Sequence, residues 1–148
     1  MKHRYDCRIR WSDVDSYGHV NNVKYLEYLQ EARIAFLSSL SPGWPRGREG
    51  AVLARIDVDY RRPIRFRPEP VVVETWVTRI GRSSYDLAAR IVDDQPEVAT
   101  VFAEARAVIV AYDVKGLRSR PLTERERSAL ERAAASLRAE PAGSRRSC

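Results

Sequence analysis

A single long segment without helix breakers is the strongest constraint on how this chain can fold. Residues 23–40 contain neither glycine nor proline, and their apolar side chains recur every three or four positions over a wide stripe. Asn21 or Asn22 can cap the start of the segment with a short amide side chain. Pro42 ends it, because proline cannot continue a helix. The pattern predicts one long, largely buried helix.

Beyond the helix the hydrophobic period falls to two, which is the spacing of a half-buried strand. Three segments alternate in this way and a fourth, longer stretch is also β-like: Val52–Tyr60, Val71–Ile80, Tyr85–Val92 and Val98–Tyr112. The fourth is long for a strand, so we expect a bend or bulge within it. Gly81-Arg82-Ser83 separates the second from the third in the manner of a hairpin.

Weaker patterns flank this core. A loose alternation over Tyr5–Arg10 predicts a first strand, and Thr123 and Glu126 have the spacing of a capping box at the start of a short final helix. One helix and one antiparallel sheet predict an α+β fold in which the sheet wraps around the helix. We expect a single domain over residues 1–138, followed by a disordered tail over 139–148.

The composition excludes several classes of protein. The chain has 148 residues, of which 44% are hydrophobic, and no apolar run is long enough to cross a bilayer. The N-terminus lacks the apolar segment of a signal peptide, so we expect a cytoplasmic protein without membrane insertion. Cysteine and histidine never cluster at ligand spacing, so we expect no metal and no cofactor.

The net charge of +6 does not by itself identify a partner. Basic residues are interleaved with acidic ones along most of the chain, which is not the clustered basic face of a nucleic-acid-binding protein. A basic surface suits any polyanionic ligand. We therefore expect no nucleic-acid partner.

The loop that precedes the long helix carries the chemistry. Residues 11–21 are polar, contain Gly18 as a turn residue, and place Asp13 and Asp15 just ahead of the helix. Free N–H groups and the positive end of a helix dipole favour negative charge there, and the same groups can stabilise an oxyanion. A carboxylate beside an oxyanion hole can transfer an acyl group to water. An aspartate in this position can equally be a simple cap or turn residue.

The full string of this loop is more specific. The chain resembles the 4-hydroxybenzoyl-CoA thioesterase family of hotdog proteins over about residues 5–113. The matching residues are Asp15, Gly18-His19-Val20-Asn21-Asn22, Tyr25, Glu31-Ala32-Arg33, Tyr60-Arg61-Arg62-Pro63 and Gly81-Arg82-Ser83-Ser84.

This resemblance implies a hotdog fold, a curved antiparallel sheet wrapped around the long helix. It implies an acyl-CoA thioesterase that forms a homodimer with a continuous sheet and two active sites at the interface; assembly into a tetramer stays open. Asp15 would be the catalytic group, either as nucleophile through a mixed anhydride or as general base on water. The acyl group, and whether coenzyme A or an acyl-carrier protein bears it, are not given by the sequence.

Other residues of the loop and helix are candidates for supporting roles. The backbone N–H of Asn22 is the preferred oxyanion donor, and His19 is expected to orient the loop or line the site. Asp13 is expected to be a turn or supporting residue. Glu27 and Glu31 are weaker candidates, and we expect Glu31 to form a structural ion pair.

Substrate contacts are expected from the loop, the helix and two basic segments. The candidates are Gly18, Tyr25, Arg61, Arg62, Arg82, Ser83 and Ser84. A guanidinium matches a phosphate in shape and charge, so the arginines are candidates for the coenzyme A phosphates. Tyr25 is interpreted as either a core residue or a wall of the acyl site.

Two alternatives to the thioesterase remain. A non-catalytic protein that binds acyl-CoA or an acyl carrier would keep the fold without turnover. A hotdog hydratase or dehydratase would use a histidine paired with a separate carboxylate, and only His3 and His19 are available for that role.

Overall fold

A computed structural model describes residues 2–43, 47–95 and 100–138. Within these ranges two α-helices and six strands follow one another: β1 (His3–Cys7), α1 (Asn22–Leu40), β2 (Glu49–Tyr60), β3 (Val71–Ile80), β4 (Ser84–Asp93), β5 (Thr100–Asp113), β6 (Arg118–Ser119) and α2 (Glu124–Arg138). The α+β class and the long helix predicted from the sequence are therefore confirmed.

The strands form one antiparallel sheet in the order β1-β3-β4-β5-β2, and the short β6 pairs with β5. The helix α1 packs on one face of this sheet through a row of buried side chains. These residues are Tyr25, Tyr28, Leu29, Ala32, Phe36 and Leu37. The buried apolar residues fall into two clusters, one around Leu29 and Val73 and one around Phe36 and Val77.

Three details differ from the sequence pattern or refine it. The first strand ends at Cys7, and the chain turns through a single 3₁₀ turn over Trp11–Asp13 where we expected a plain loop. The predicted irregularity in the last long strand is a bulge at Phe102, because Ile91 pairs with Ala103 while Val92 pairs with Val101. Residues 98–99 and the tail 139–148 lie outside the described residues.

The predicted capping box of α2 is confirmed. The Thr123 hydroxyl accepts the Glu126 N–H at 3.1 Å, and the Glu126 carboxylate accepts the Thr123 N–H at 2.9 Å. Burial raises the pKa of Glu126, but hydrogen bonds from Arg120 and Thr123 outweigh burial and leave that pKa below its usual range. Leu130 of α2 lies in the same buried cluster as Phe36 and Leu37, so α2 packs beside the C-terminal end of α1.

The strand β2 forms one margin of the sheet. It pairs with β5 on one side, and within the described ranges no strand pairs with its other side. Val52 and Leu53 on this strand are both exposed. Within the part of the chain that is described, neither helix has the length and apolarity needed to cross a membrane.

Candidate active site

The loop between β1 and α1 is a tight, internally bonded turn. The Asp15 N–H donates to the His19 carbonyl at 2.8 Å, and the Asp15 carbonyl accepts the Gly18 N–H at 3.1 Å. Gly18 has φ +79°, a conformation that side-chain-bearing residues rarely adopt. Gly18 therefore serves the turn geometry that brings the chain back towards the helix.

The Asp15 carboxylate is half-buried and held by the same loop. Its Oδ1 accepts the Tyr17 N–H at 2.9 Å and the His19 N–H at 3.4 Å. The backbone of His19 also pairs with Arg65, so the loop is attached to the segment that follows β2. These contacts hold the carboxylate of Asp15 in place within the loop that leads into α1.

At the start of α1, one backbone N–H group lacks a hydrogen-bond acceptor among the described residues. Asn21 is the N-cap, and its side chain accepts the Val23 N–H at 2.9 Å. The Lys24 N–H donates to the Asn21 carbonyl at 2.8 Å. The Asn22 N–H has no acceptor among the residues described, whereas the Asn22 carbonyl accepts the Tyr60 hydroxyl at 3.0 Å. A free donor thus lies at the positive end of α1.

Asp13 connects the loop to the helix from inside the protein. It has 0% exposure, and its Oδ2 accepts the Tyr28 hydroxyl at 2.6 Å and the Arg10 N–H at 3.0 Å. Its carbonyl accepts the Asn21 N–H at 2.9 Å. Asp13 is therefore a supporting residue of the site, and the sequence did not indicate that Tyr28 is its partner.

The second oxygen of this buried carboxylate lacks a hydrogen bond from any described residue. Two cations approach it instead, with Arg10 Nε at 3.7 Å and Lys24 Nζ at 3.9 Å. Burial and the contact with Asp13 raise the pKa of Tyr28 far above its usual value. Burial and, to a smaller extent, the negative charge of Asp13 raise the pKa of Cys7 to about 11, which keeps that thiol protonated and unreactive.

Tyr25 fixes the basic segment after β2 against the helix. Its buried hydroxyl accepts the Ile64 N–H at 3.1 Å and donates to the Arg62 carbonyl at 3.2 Å. The Val20 N–H donates to the Ile64 carbonyl at 2.8 Å. Arg61 and Arg62 therefore lie close to the loop, although the Arg61 side chain is paired with Glu104 at 3.1 Å.

The hairpin at Arg82, Ser83 and Ser84 lies far from the Asp15 loop. Cys7, which leads into the loop, pairs with Val71 at the start of β3, whereas the hairpin follows the end of that ten-residue strand. The two ends are roughly 30 Å apart at the rise of an extended strand. Within one subunit the structure does not bring this hairpin together with Asp15.

The two glutamates on α1 are both exposed. Glu27 pairs with Lys24 at 3.1 Å and more distantly with Arg10 at 3.9 Å. Glu31 is exposed and forms no ion pair with any residue in the described part of the chain, so the expected structural pair stays a prediction. No group of three or more His, Cys, Asp or Glu in the described ranges is arranged to hold a metal.

Comparisons with known proteins agree with this geometry. Residues 9–135 match the thioesterase-like superfamily. The chain is 31% identical to the long-chain acyl-CoA thioesterase FadM of Escherichia coli K12 over 126 residues, 84% of this chain and 93% of that one. The chain belongs to the thioesterase-like superfamily.

Two solved structures are similar to this chain over most of its length. The PA2801 protein of Pseudomonas aeruginosa has a TM-score of 0.77 and 33% identity, over 88% of this chain and 99% of its own. A thioesterase of Thermus thermophilus, in complex with coenzyme A and zinc, has a TM-score of 0.74 and 32% identity, over 89% and 93%. The predicted hotdog fold and the prediction of a thioester hydrolase are confirmed.

We expect Tyr28→Phe to destabilise this thioesterase by about 2 kcal/mol, since it removes a hydrogen bond to a buried charged group. Tyr17→Phe is the matched control, because Tyr17 is 84% exposed and should tolerate the change. Urea unfolding of both variants measures the difference. Equal stabilities would mean that the contact between Tyr28 and Asp13 contributes little.

Proposed function

We propose that this protein hydrolyses acyl-CoA to a free acid and coenzyme A, with Asp15 as the catalytic carboxylate. The observation that carries the proposal is the Asp15 carboxylate held by backbone N–H groups of the loop that leads into α1, where the Asn22 N–H has no acceptor among the described residues. The names of the relatives support the substrate class, since one is a long-chain acyl-CoA thioesterase and one was crystallised with coenzyme A.

The Asn22 N–H and the dipole of α1 would polarise the thioester carbonyl and stabilise the oxyanion that forms on attack. Asp15 would act in one of two ways. As nucleophile, its oxygen attacks the carbonyl carbon, the thiolate of coenzyme A leaves, and water hydrolyses the resulting anhydride. As general base, it takes a proton from the water that attacks. Both routes need the same ionised carboxylate beside the same donor.

Gly18 and His19 would act mainly through the shape of the loop. The positive φ of Gly18 turns the chain, and the backbone of His19 both donates to Asp15 and accepts from it. The His19 ring would then line the site without serving as the base.

Asp15→Asn tests the catalytic assignment. We expect the variant to fold and to bind acyl-CoA but to lose at least about 10²-fold in kcat, because the amide is isosteric and has neither charge nor basic lone pair. Asp6→Asn is the control, since Asp6 is an exposed carboxylate on β1. The measurement is release of free thiol from a panel of acyl-CoAs, with thermal melts alongside.

Wild-type turnover in Asp15→Asn would refute the assignment. Loss of turnover in His19→Ala, Asp13→Asn or Glu31→Gln, with Asp15→Asn active, would place the catalytic group elsewhere in the same fold. Binding of every acyl-CoA without thiol release by the wild type would instead indicate a non-catalytic binding protein.

Arg62 is the best-placed candidate for the phosphates of coenzyme A. Arg61 is paired with Glu104, whereas no acidic residue in the described ranges pairs with Arg62, and both lie near the loop. We expect Arg62→Ala to raise KM for acyl-CoA roughly two- to fivefold with little change in kcat, the range of an exposed ion pair. A pantetheine thioester, which lacks the nucleotide, should not show the effect.

Arg132→Ala, an exposed arginine on α2, is the control for the general loss of positive charge. Unchanged KM in Arg61→Ala, Arg62→Ala and Arg82→Ala alike would leave these side chains as a solvated basic surface.

We also propose that two copies pair through β2. The free side of this strand exposes unpaired backbone groups together with Val52 and Leu53, and a second antiparallel β2 would satisfy both. Dimerisation is also the arrangement by which the Arg82 hairpin of one subunit could approach the Asp15 loop of the other.

We expect light scattering to give at least twice the chain mass of 16.9 kDa. Leu53→Lys should shift the equilibrium towards monomer, because it places a charge on the joined strand. Leu117→Lys, in the turn before β6, should not. A stable and active monomer would refute the dimer.

A further inference from the structure

Tyr60 contacts the start of α1 from the end of β2. It is the last residue of that strand and pairs with Ala103 of β5, so its backbone is part of the sheet. Its hydroxyl donates to the Asn22 carbonyl at 3.0 Å. The side chain of Tyr60 therefore joins the sheet to the residue whose N–H lacks an acceptor among the described residues.

The Asn22 carbonyl does not need the bond from Tyr60 to be satisfied. Asn22 is the first residue of α1, and a carbonyl in the first turn of a helix accepts the N–H four residues later. Tyr60 is 44% exposed, so its hydroxyl has water as an alternative partner. A second bond to a carbonyl that already has a helical partner serves to fix the position of Asn22.

The ring of Tyr60 is held on one face. It packs on the ring of Tyr25, with centroids 5.0 Å apart and planes inclined at 54°. Tyr25 is 2% exposed, and its own hydroxyl is fixed by the Ile64 N–H at 3.1 Å and the Arg62 carbonyl at 3.2 Å. A buried ring with a doubly bonded hydroxyl thus limits the rotation of Tyr60 and keeps its hydroxyl directed at α1.

The N–H of Asn22 lies between two anchored points of the backbone. On its N-terminal side, the Asn21 N–H donates to the Asp13 carbonyl at 2.9 Å. On its C-terminal side, Tyr60 holds the Asn22 carbonyl. The loop fixes one point and the sheet fixes the other, so the direction of the N–H between them depends on both. The anchor at Asp13 is a main-chain bond, whereas the anchor at Tyr60 is a side chain that a single conservative substitution removes.

We propose that Tyr60 is a positioning residue for thioester hydrolysis and acts through the Asn22 N–H. This proposal rests on the proposed function, in which that N–H stabilises the oxyanion. A donor stabilises developing charge only when it points at the place where the oxyanion forms. Without the Tyr60 hydroxyl, the start of α1 has one anchor fewer and the N–H is less well directed. Because the donor matters most in the transition state, the effect falls on kcat and not on KM.

Two substitutions separate the donor from its anchor. Asn22→Pro removes the N–H itself. Proline is favoured at the first position of a helix, and Asn21 before it has φ −60° and ψ 137°, the extended backbone that proline requires of the preceding residue. Tyr60→Phe removes the anchoring hydroxyl and keeps the ring against Tyr25.

Each substitution has its own reference variant. Asn22→Ala lacks the same side chain as Asn22→Pro but keeps the N–H, so the difference between these two variants measures the donor. Tyr5→Phe is the control for the loss of a tyrosine hydroxyl. Tyr5 lies on β1, at the opposite edge of the sheet from β2, and its hydroxyl bonds no residue in the described ranges.

The first measurement is thiol release from decanoyl-CoA. We expect kcat of Asn22→Pro to be lower than that of Asn22→Ala by about 10²-fold or more, the cost of one lost oxyanion donor. Tyr60→Phe should lower kcat about tenfold at unchanged KM, since the donor remains but is misdirected. Tyr5→Phe should keep the wild-type kcat. Tyr60→Phe added to Asn22→Pro should cause no further loss, because an anchor without a donor has nothing to position.

Thermal melts and light scattering accompany the kinetics of every variant. An unchanged kcat in Tyr60→Phe, with or without a lower melting temperature, would refute the positioning role. A raised KM at unchanged kcat would mean that the hydroxyl binds substrate directly, which also refutes it. Equal losses from Tyr60→Phe in the wild type and in Asn22→Pro would show that Tyr60 acts by a route other than the Asn22 N–H.

A measurement without turnover separates this proposal from the proposed function. The probe is the ketone analogue of decanoyl-CoA in which a methylene replaces the thioester sulfur, so that it cannot be hydrolysed. A hydrogen bond to a carbonyl lowers its stretching frequency, which infrared difference spectra of the bound, isotope-labelled analogue report. We expect the frequency to rise from the wild type to Tyr60→Phe and to be highest in Asn22→Pro, with Tyr5→Phe equal to the wild type.

Equal frequencies in the wild type and Tyr60→Phe would overturn the positioning role even if acyl-CoA is hydrolysed. If no acyl-CoA is hydrolysed but the frequency rises in Tyr60→Phe and in Asn22→Pro, the donor and its anchor act as described and the proposed function alone is wrong.

Discussion

The buried carboxylate of Asp13 is the interaction on which the geometry of the site depends. Removing a charge from water is strongly unfavourable, so a carboxylate with no exposed surface persists only where donors surround it. Tyr28 supplies a donor from the helix and Arg10 supplies one from the chain before the turn. Because these partners come from different segments, satisfying one carboxylate fixes the loop relative to the helix. Asp15 lies two residues later in the same loop, so the contacts of Asp13 also hold Asp15 in place.

Two tyrosines, one on α1 and one on β2, hold the other side of the site by similar contacts. Tyr25 and Tyr60 pack with ring centroids 5.0 Å apart. The Tyr25 hydroxyl bonds the backbone after β2, and the Tyr60 hydroxyl bonds the backbone at the start of α1. The Tyr25 ring is buried in the core and the more exposed Tyr60 ring packs against it, while each hydroxyl bonds a main-chain group. The start of α1 is consequently held by side chains from both directions, which keeps the Asn22 N–H in place.

The core itself is interrupted where α1 crosses the middle of the sheet. The cluster around Leu29 and Val73 and the cluster around Phe36 and Val77 are separated on β3 by Thr75, a polar residue in an otherwise apolar row. Small alanines opposite leave space where larger residues would close the core. The Thr75 hydroxyl is therefore buried between two apolar clusters, without a hydrogen-bond partner among the described residues.

The sequence by itself determined the two helices, the five longer strands, their order and the loop with Asp15, because periodicity and capping residues are local properties. It did not indicate the short β6 or the 3₁₀ turn over Trp11–Asp13. It also indicated the Thr123–Glu126 capping box and the bulge in the last long strand. It could not show that Asp13 is buried against Tyr28, that Glu31 stays in water, or that the hairpin at Arg82 lies at the opposite end of β3. Those facts depend on which distant segments meet, and only the register of the sheet and the rotation of α1 decide that. The same holds for Thr75, whose isolated hydroxyl is ordinary in a strand until the helix covers it.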